Sequence, residues 1–336
     1  MSLDSEKQHI DNALEASRNL EGFSTPHNAS MYVWAKSMLG TTIPNPNQII
    51  NYLNSKQDAD GGWSASQGTG LHSRWFDSGR ILMALYMLGA TPAKPLDGFL
   101  ATMDTWDEVH ALGEDWRDVY HPLQCWMLGK WVYPPWKDEF FAAVEAKQTD
   151  LLNWTTNTSG YAGGHRRTHI LYSYMYARRQ YPNLDGIINA TLSMQRVDGS
   201  FPGLDHTAAN WSYNTSIEIS LMQSILALYP GYRTQELIDS INRTRPYIQS
   251  LYRTENHPTY GLCGYFSPSW NSIEWSSMLG IMACAGNGLL TCNFDFIMQD
   301  IIDKMQQPSG EIPLWLIAIL ELAGIGVLSY YLAKHQ

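Results

Sequence analysis

Apolar positions along the chain recur at spacings of three and four residues, the period of one face of an α-helix, and no run alternates as a strand would. Two kinds of helical segment take turns. The first kind is amphipathic and lies near 6–20, 45–56, 95–110, 136–152, 184–196 and 235–252. Each leads through a loop into a second, more apolar segment, near 25–39, 74–89, 115–130, 165–181, 211–229 and 269–286. A seventh pair falls at 294–306 and 312–333. The second segments are apolar over most of their circumference, which predicts helices buried on all sides.

The loops between them repeat as well. Gln57-Asp58-Ala59-Asp60-Gly61-Gly62-Trp63 and Gln195-Arg196-Val197-Asp198-Gly199-Ser200-Phe201 share the pattern Q-x-x-D-G-x-aromatic, three periods of about 46 residues apart. A weaker copy stands at Gln306-Gln307-Pro308-Ser309-Gly310-Glu311-Ile312. In such a loop Gln bonds an orphan backbone group at a helix end, Gly permits the turn and the aromatic packs against the neighbouring repeat. The pattern predicts an all-α fold, an α/α toroid of about six to seven helical hairpin repeats forming one domain over 1–306. An open superhelix is the other arrangement that stacked hairpins adopt.

Residues 307–336 form an apolar end. Ile312–Ala333 holds one charge, Glu321, and is followed by Lys334-His335-Gln336. It reads either as a membrane anchor or as the seventh inner helix, with membrane association the preferred reading. The first twenty residues are polar and show no secretory signal, yet seven N-x-S/T sequons occur, at Asn28, Asn153, Asn157, Asn189, Asn210, Asn214 and Asn242. The side of the membrane therefore stays open.

Composition narrows the partner. A net charge of −10 without a basic run argues against nucleic acid. Charged residues make up only 16% of the chain against 13 Trp and 19 Tyr, which fits a large-residue core around an aromatic-lined cavity and an apolar small-molecule substrate. The four cysteines form no CxxC pair and read as buried thiols. No cofactor is indicated.

Candidate chemistry gathers where loops feed the second helices, since helix N-termini favour carboxylates and anions. There stand His27 and Asn28, then His72, Arg74 and Asp77, then Asp115, Asp118 and His121. Further along come His165, Arg167 and His169, Asp205, His206 and Asn214, and Trp270, Asn271 and Glu274. Caps explain any one of these; their recurrence favours a site. At about 100° per residue, Asp118, His121 and Cys125 share one helix face, a stripe suited to a general acid and its partner. His165 and His169 stand four apart and face one way, although the sequence dictates no third metal ligand.

The Gln57–Trp63 loop with Asp77-Ser78-Gly79-Arg80 after it, and the Gln195–Phe201 loop, resemble the QW-type repeats of the squalene cyclase and protein prenyltransferase superfamily. The resemblance implies a toroid handling isoprenoids or terpenoids by acid–base chemistry in a central cavity, whose aromatic walls hold cations. Asp115, Asp118, His121 and Asp77 are then the candidate catalytic residues. His165, His169, Asp205, His206, Trp75, Trp116, Trp211 and Trp270 are candidates for substrate binding. Two departures stand out. Asp115-Trp116-Arg117-Asp118 carries Arg where the cyclase motif Asp-x-Asp-Asp has an acid, and no cysteine has Asp two positions before it, as the prenyltransferase zinc pair requires. A carbohydrate-active hydrolase or lyase is the alternative, with carboxylates Asp77, Asp118 and Asp205 and stacking platforms Trp75, Trp116 and Trp211. A binding protein without catalysis is the third reading.

Overall fold

In the computed structural model the described residues are 7–18, 23, 25–64, 71–111, 120–146, 170–171, 173–174, 177, 179–201, 215, 218–219, 221–223, 225–226, 229, 231–253, 265–266 and 303–304. The fold is mostly helical. In chain order the longer pieces are α1 (Lys7–Ser17), α2 (Pro26–Leu39), α3 (Pro46–Ser55), α4 (Leu71–Met87), α5 (Asp97–Leu100), α6 (Trp106–Ala111), α7 (Tyr120–Lys130), α8 (Lys137–Ala146), α9 (Leu184–Met194) and α10 (Thr234–Leu251). Tyr252–Arg253 and Tyr265–Phe266 pair as a two-residue antiparallel ladder.

Local chemistry sets the helix ends. The Thr25 side chain accepts from the Asn28 amide and Pro26 opens α2, while Gly40, in the left-handed region, closes it. Asn183 caps α9 by accepting from the Gly186 amide at 3.1 Å. The amphipathic segment expected at 95–110 is not one helix. A 3-10 turn, Ala101–Met103, follows α5, and the chain then restarts at α6. The cause is a capping box: the Glu108 carboxylate accepts from the Thr105 amide at 3.1 Å and Thr105 Oγ1 accepts from the Glu108 amide at 3.3 Å. That reciprocal pair stabilises a new N-terminus in mid-segment.

The more apolar helices pack on one another in chain order, α2 on α4 and α4 on α7, and the amphipathic α1 and α3 lie against α2. Large side chains fill the contacts, with Trp63, Trp75, Trp136, Tyr32, Tyr174, Phe99, Phe140 and Phe141 all enclosed. Two contacts span most of the chain. Helix α1 lies against the Tyr265–Phe266 strand, and Lys304 donates to the Tyr86 hydroxyl at 2.7 Å across 218 residues of sequence. Among the described residues no helix is long and apolar enough to cross a membrane. Ile312–Ala333 lies outside the described residues, as do 269–286.

The two Q-x-x-D-G-x-aromatic loops make the same bonds. Gln57 Nε2 donates to the Gly61 carbonyl at 2.6 Å and to the Lys94 carbonyl at 3.0 Å. Gln195 Nε2 donates to the Gly199 carbonyl at 3.3 Å and to the Ser240 carbonyl at 2.9 Å. Asp60 accepts from the Gly62 amide and Asp198 from the Ser200 amide. Gly61 has φ +97° and Gly199 φ +85°, and a Cβ on either would stand 2.0 Å from a backbone carbonyl oxygen, of Pro95 or Arg243. The aromatic that ends each loop is buried, and its amide donates to a hydroxyl on the helix that follows: Trp63 to Ser78 at 3.1 Å, Phe201 to Thr215 at 2.9 Å. Gly makes the turn and the aromatic is enclosed as expected, but Gln does not bond a helix end: Gln57 reaches loop carbonyls, and Gln195 reaches a loop carbonyl and the Ser240 carbonyl inside α10. Unforeseen was the hydroxyl some fourteen residues on.

Candidate functional site

Helices α2, α4 and α7 enclose a group of polar side chains in their mutual contacts. Helix α4 supplies Phe76, Asp77 and Arg80; α2 supplies His27; α7 supplies His121 and Gln124. Apart from Phe76, which is half-buried, all are at most 6% exposed. On a helix turning about 100° per residue, Phe76 and Arg80 share one face, Asp77 points toward α2, and Ser78 lies on the far side with the Trp63 loop. The side chains follow that wheel.

His27 Nδ1 and Asp77 Oδ1 are 2.8 Å apart. With the carboxylate ionised, Nδ1–H is the donor and the neutral ring keeps Nε2 as its basic nitrogen. Burial pushes the His27 pKa below its ordinary value of 6.5. The hydrogen bond from Asp77 opposes that push, the nearby charge of Arg80 assists it, and the Asp77 charge opposes it. The ring is therefore neutral at pH 7, held in one tautomer by the carboxylate. That is the arrangement of a general base and the residue that positions it.

Phe76 is the hub. The His27 ring lies nearly parallel to it, at 5.8 Å and 11°. His121 meets it edge-on at 4.6 Å, and the Arg80 guanidinium carbon sits 3.8 Å from its centroid. Arg80 Nη1 also reaches the Met31 sulfur at 3.5 Å. One turn along α7, Gln124 lies against Gly79, where a Cβ would come within 2.8 Å of Gln124 Oε1. Among the described residues neither amide atom of Gln124 has a hydrogen-bond partner.

A second buried charge group serves a different end. Lys36, 1% exposed, bonds Asp11 at 2.6 Å and Glu15 at 2.8 Å, and Tyr32 and Thr41 donate to the same two carboxylates. Its polar groups are matched, and it ties α1 to α2.

Of the residues singled out from sequence, Asp77 and His121 come together around Phe76. Trp75 is enclosed in the core, 2% exposed, its indole N–H directed at Thr102 Oγ1 at 3.4 Å. Cys125 is a buried thiol beside the Trp75 carbonyl, its pKa raised by burial. Asp115, Asp118, Trp116, His165, Arg167, His169, Asp205, His206, Trp211, Asn214, Trp270, Asn271 and Glu274 lie outside the described residues. His27 stood among the helix starts but not among the chosen catalytic residues. Phe76, Arg80 and Gln124 were missed, although polar residues one turn apart in apolar helices were a usable signal. No three acidic, His or Cys side chains among the described residues form a metal-holding group. Compared with known protein families, curated proteins and solved structures, the chain finds no match in any of the three.

Proposed function

We propose that the chain is an enzyme acting on an isoprenoid or terpenoid substrate by acid–base chemistry, inside an α/α toroid whose inner helices include α2, α4 and α7. Several observations support the ring. The equivalent loops recur at Gln57 and Gln195, and cross-helix contacts repeat at nearly constant sequence distance: His27 with Asp77 and Trp75 with Cys125 both stand 50 apart, Met31 with Arg80 49 apart. Helix α1 against the Tyr265–Phe266 strand and Lys304 on Tyr86 return late chain to early chain, as a closed ring requires and an open superhelix does not.

The observation that carries the chemistry is the His27–Asp77 pair at 2.8 Å, buried beside Phe76 and His121 on what would be the ring's inner face. His27 removes a proton from the substrate through Nε2, Asp77 positions its ring, and His121 borders the same aromatic surface. A terpenoid substrate fits a site built on Phe76, and Ile312–Ala333 would bring the enzyme to the lipid in which such substrates dissolve. The carbohydrate reading is not favoured, because Asp77 is engaged by His27 and Trp75 by the core.

The test is turnover by the purified full chain, with squalene, farnesyl diphosphate and neutral oligosaccharides offered separately and products read by mass spectrometry. An isoprenoid is expected to be consumed, and His27→Gln should slow it by about 10²-fold or more. Consumption of an oligosaccharide, or isoprenoid turnover indifferent to His27→Gln, defeats the proposal.

A further inference from the structure

We propose that the substrate carries a neutral oxygen, a hydroxyl or a carbonyl, which is held by the side-chain amide of Gln124; this rests on the isoprenoid reading and narrows it. Two observations on the inner faces of α4 and α7 lead there. The first concerns what the site is unsuited to hold. Phe76 would be the obvious ring to face a developing carbocation, but its centroid already has the Arg80 guanidinium at 3.8 Å. A hydrocarbon cation brought to that ring meets a fixed positive charge, which disfavours it where burial weakens solvent screening. An electron-rich oxygen meets no such opposition.

The second observation is Gln124. It is 1% exposed, and among the described residues both its Oε1 and its Nε2 lack a partner. A buried amide without partners is costly, and native proteins keep such groups chiefly where something else satisfies them. An apolar residue of similar size would pack the α4–α7 contact without that cost. Gly79 leaves room for the amide, since any side chain there would collide with Oε1. His121, three residues before Gln124 on α7, touches Phe76. An oxygen bound at Gln124 therefore lies one helical turn from the aromatic hub, within the reach of one substrate. Nε2 donates to a carbonyl or hydroxyl oxygen, and Oε1 accepts from a hydroxyl.

The experiment compares Gln124→Met with the unaltered full chain in two readouts. One is the melting temperature without ligand. The other is affinity for the alcohols farnesol and geranylgeraniol and for hydrocarbons of matching length, read by calorimetry in detergent. Removing an unpartnered amide should raise the ligand-free Tm by about 2 °C. It should also weaken binding of the alcohols about tenfold, and leave the hydrocarbons, bound more weakly from the start, unchanged. A fall in ligand-free Tm overturns the inference, because the amide is then satisfied within the fold by an enclosed water. Equal affinity for alcohols and hydrocarbons overturns it too, with the isoprenoid reading intact. Binding of neither class removes the isoprenoid reading and this inference with it. Should Gln124→Met fail to fold, Gly79→Ala crowds the same oxygen from the other helix; an unchanged affinity for alcohols in that variant overturns the inference, and a tenfold loss supports it.

Discussion

On one side of α4, Ser78 accepts from the Trp63 amide, and around it every polar atom of Gln57 and of the Trp63 indole has a partner. On the other side, Phe76 and Arg80 sit with His27, His121 and Gln124, where a cation stacks on a ring, a histidine is stripped of water and an amide goes unmatched. Both regions are buried, and both are polar. They differ in completeness. Around Gln57 and the Trp63 indole the network is closed on itself, so these residues answer to stability. On the Phe76 side the Gln124 amide is left without a partner among the described residues, and a group kept at such a cost answers to something besides stability.

Mutations on the Trp63 side should thus cost stability, in order of what they remove. Trp63→Ala empties a fully enclosed space and strips the indole hydrogen bond to the Leu53 carbonyl, and should destabilise by about 3–5 kcal/mol. Denaturant titration measures it; a change within about 0.5 kcal/mol would erase the contrast. Gly61→Ala comes next. It forces a non-glycine residue to φ +97° and drives its Cβ to 2.0 Å from the Pro95 carbonyl oxygen, so about 1–3 kcal/mol is lost to backbone strain before the collision is counted. Gly199→Ala should match it, since Arg243 stands where Pro95 does. A large cost at Gly61 with none at Gly199 would break the equivalence of the two loops. Ser78→Ala is smaller, about 1–2 kcal/mol, because it leaves one buried amide unmatched. Ser78→Thr should recover much of that loss, since Thr215 does the same work for Phe201.

The Trp63 side was legible in the sequence, and the Phe76 side was so only in part. The loop could be read because its requirements are local: a positive φ demands Gly61, and Gln57, Gly61 and Trp63 lie within seven residues, although the carbonyls that Gln57 bonds are in loops and not at the helix end foreseen. Helix periodicity likewise placed α2, α3, α9 and α10 to within a residue or two. What failed at 95–110 was also local, a Thr105–Glu108 box hidden in an unbroken amphipathic run. The site draws on contacts 45 to 50 residues apart, and only the wheel of α4 relates them. Asp77 was chosen as a helix-start acid and His121 as the partner of Asp118. That Asp77 answers to His27 instead could not be read without knowing that α2 and α4 touch. Arg80 and Gln124 passed for ordinary polar residues, since nothing in a sequence reports that an amide will be left without a partner.

The smallest effect sharpens the comparison most, because it concerns a proton. His27 is buried and neutral, with its pKa below 6.5 mainly through loss of water. In the unfolded chain it takes up a proton near pH 6.5; in the fold it resists doing so until the pH is lower. The unfolded state thus binds more protons through that interval, and stability must fall as pH drops below about 6.5, by at most about 1.4 kcal/mol per pH unit for one such group. Above pH 6.5 the contribution is complete. His27→Gln should flatten that acid limb and leave the plateau above pH 7 nearly unchanged, as measured by urea unfolding at half-unit steps. On the Trp63 side the sign is the same but the window lies lower. Arg74 holds the Asp60 carboxyl below its ordinary range, chiefly through a hydrogen bond, so its contribution is present above pH 4 and is lost only at stronger acid. The limb between pH 6.5 and 5 therefore belongs to the His27 side. If it persists undiminished in His27→Gln, another group carries it, and His27 is not the water-stripped base on which the proposed chemistry depends.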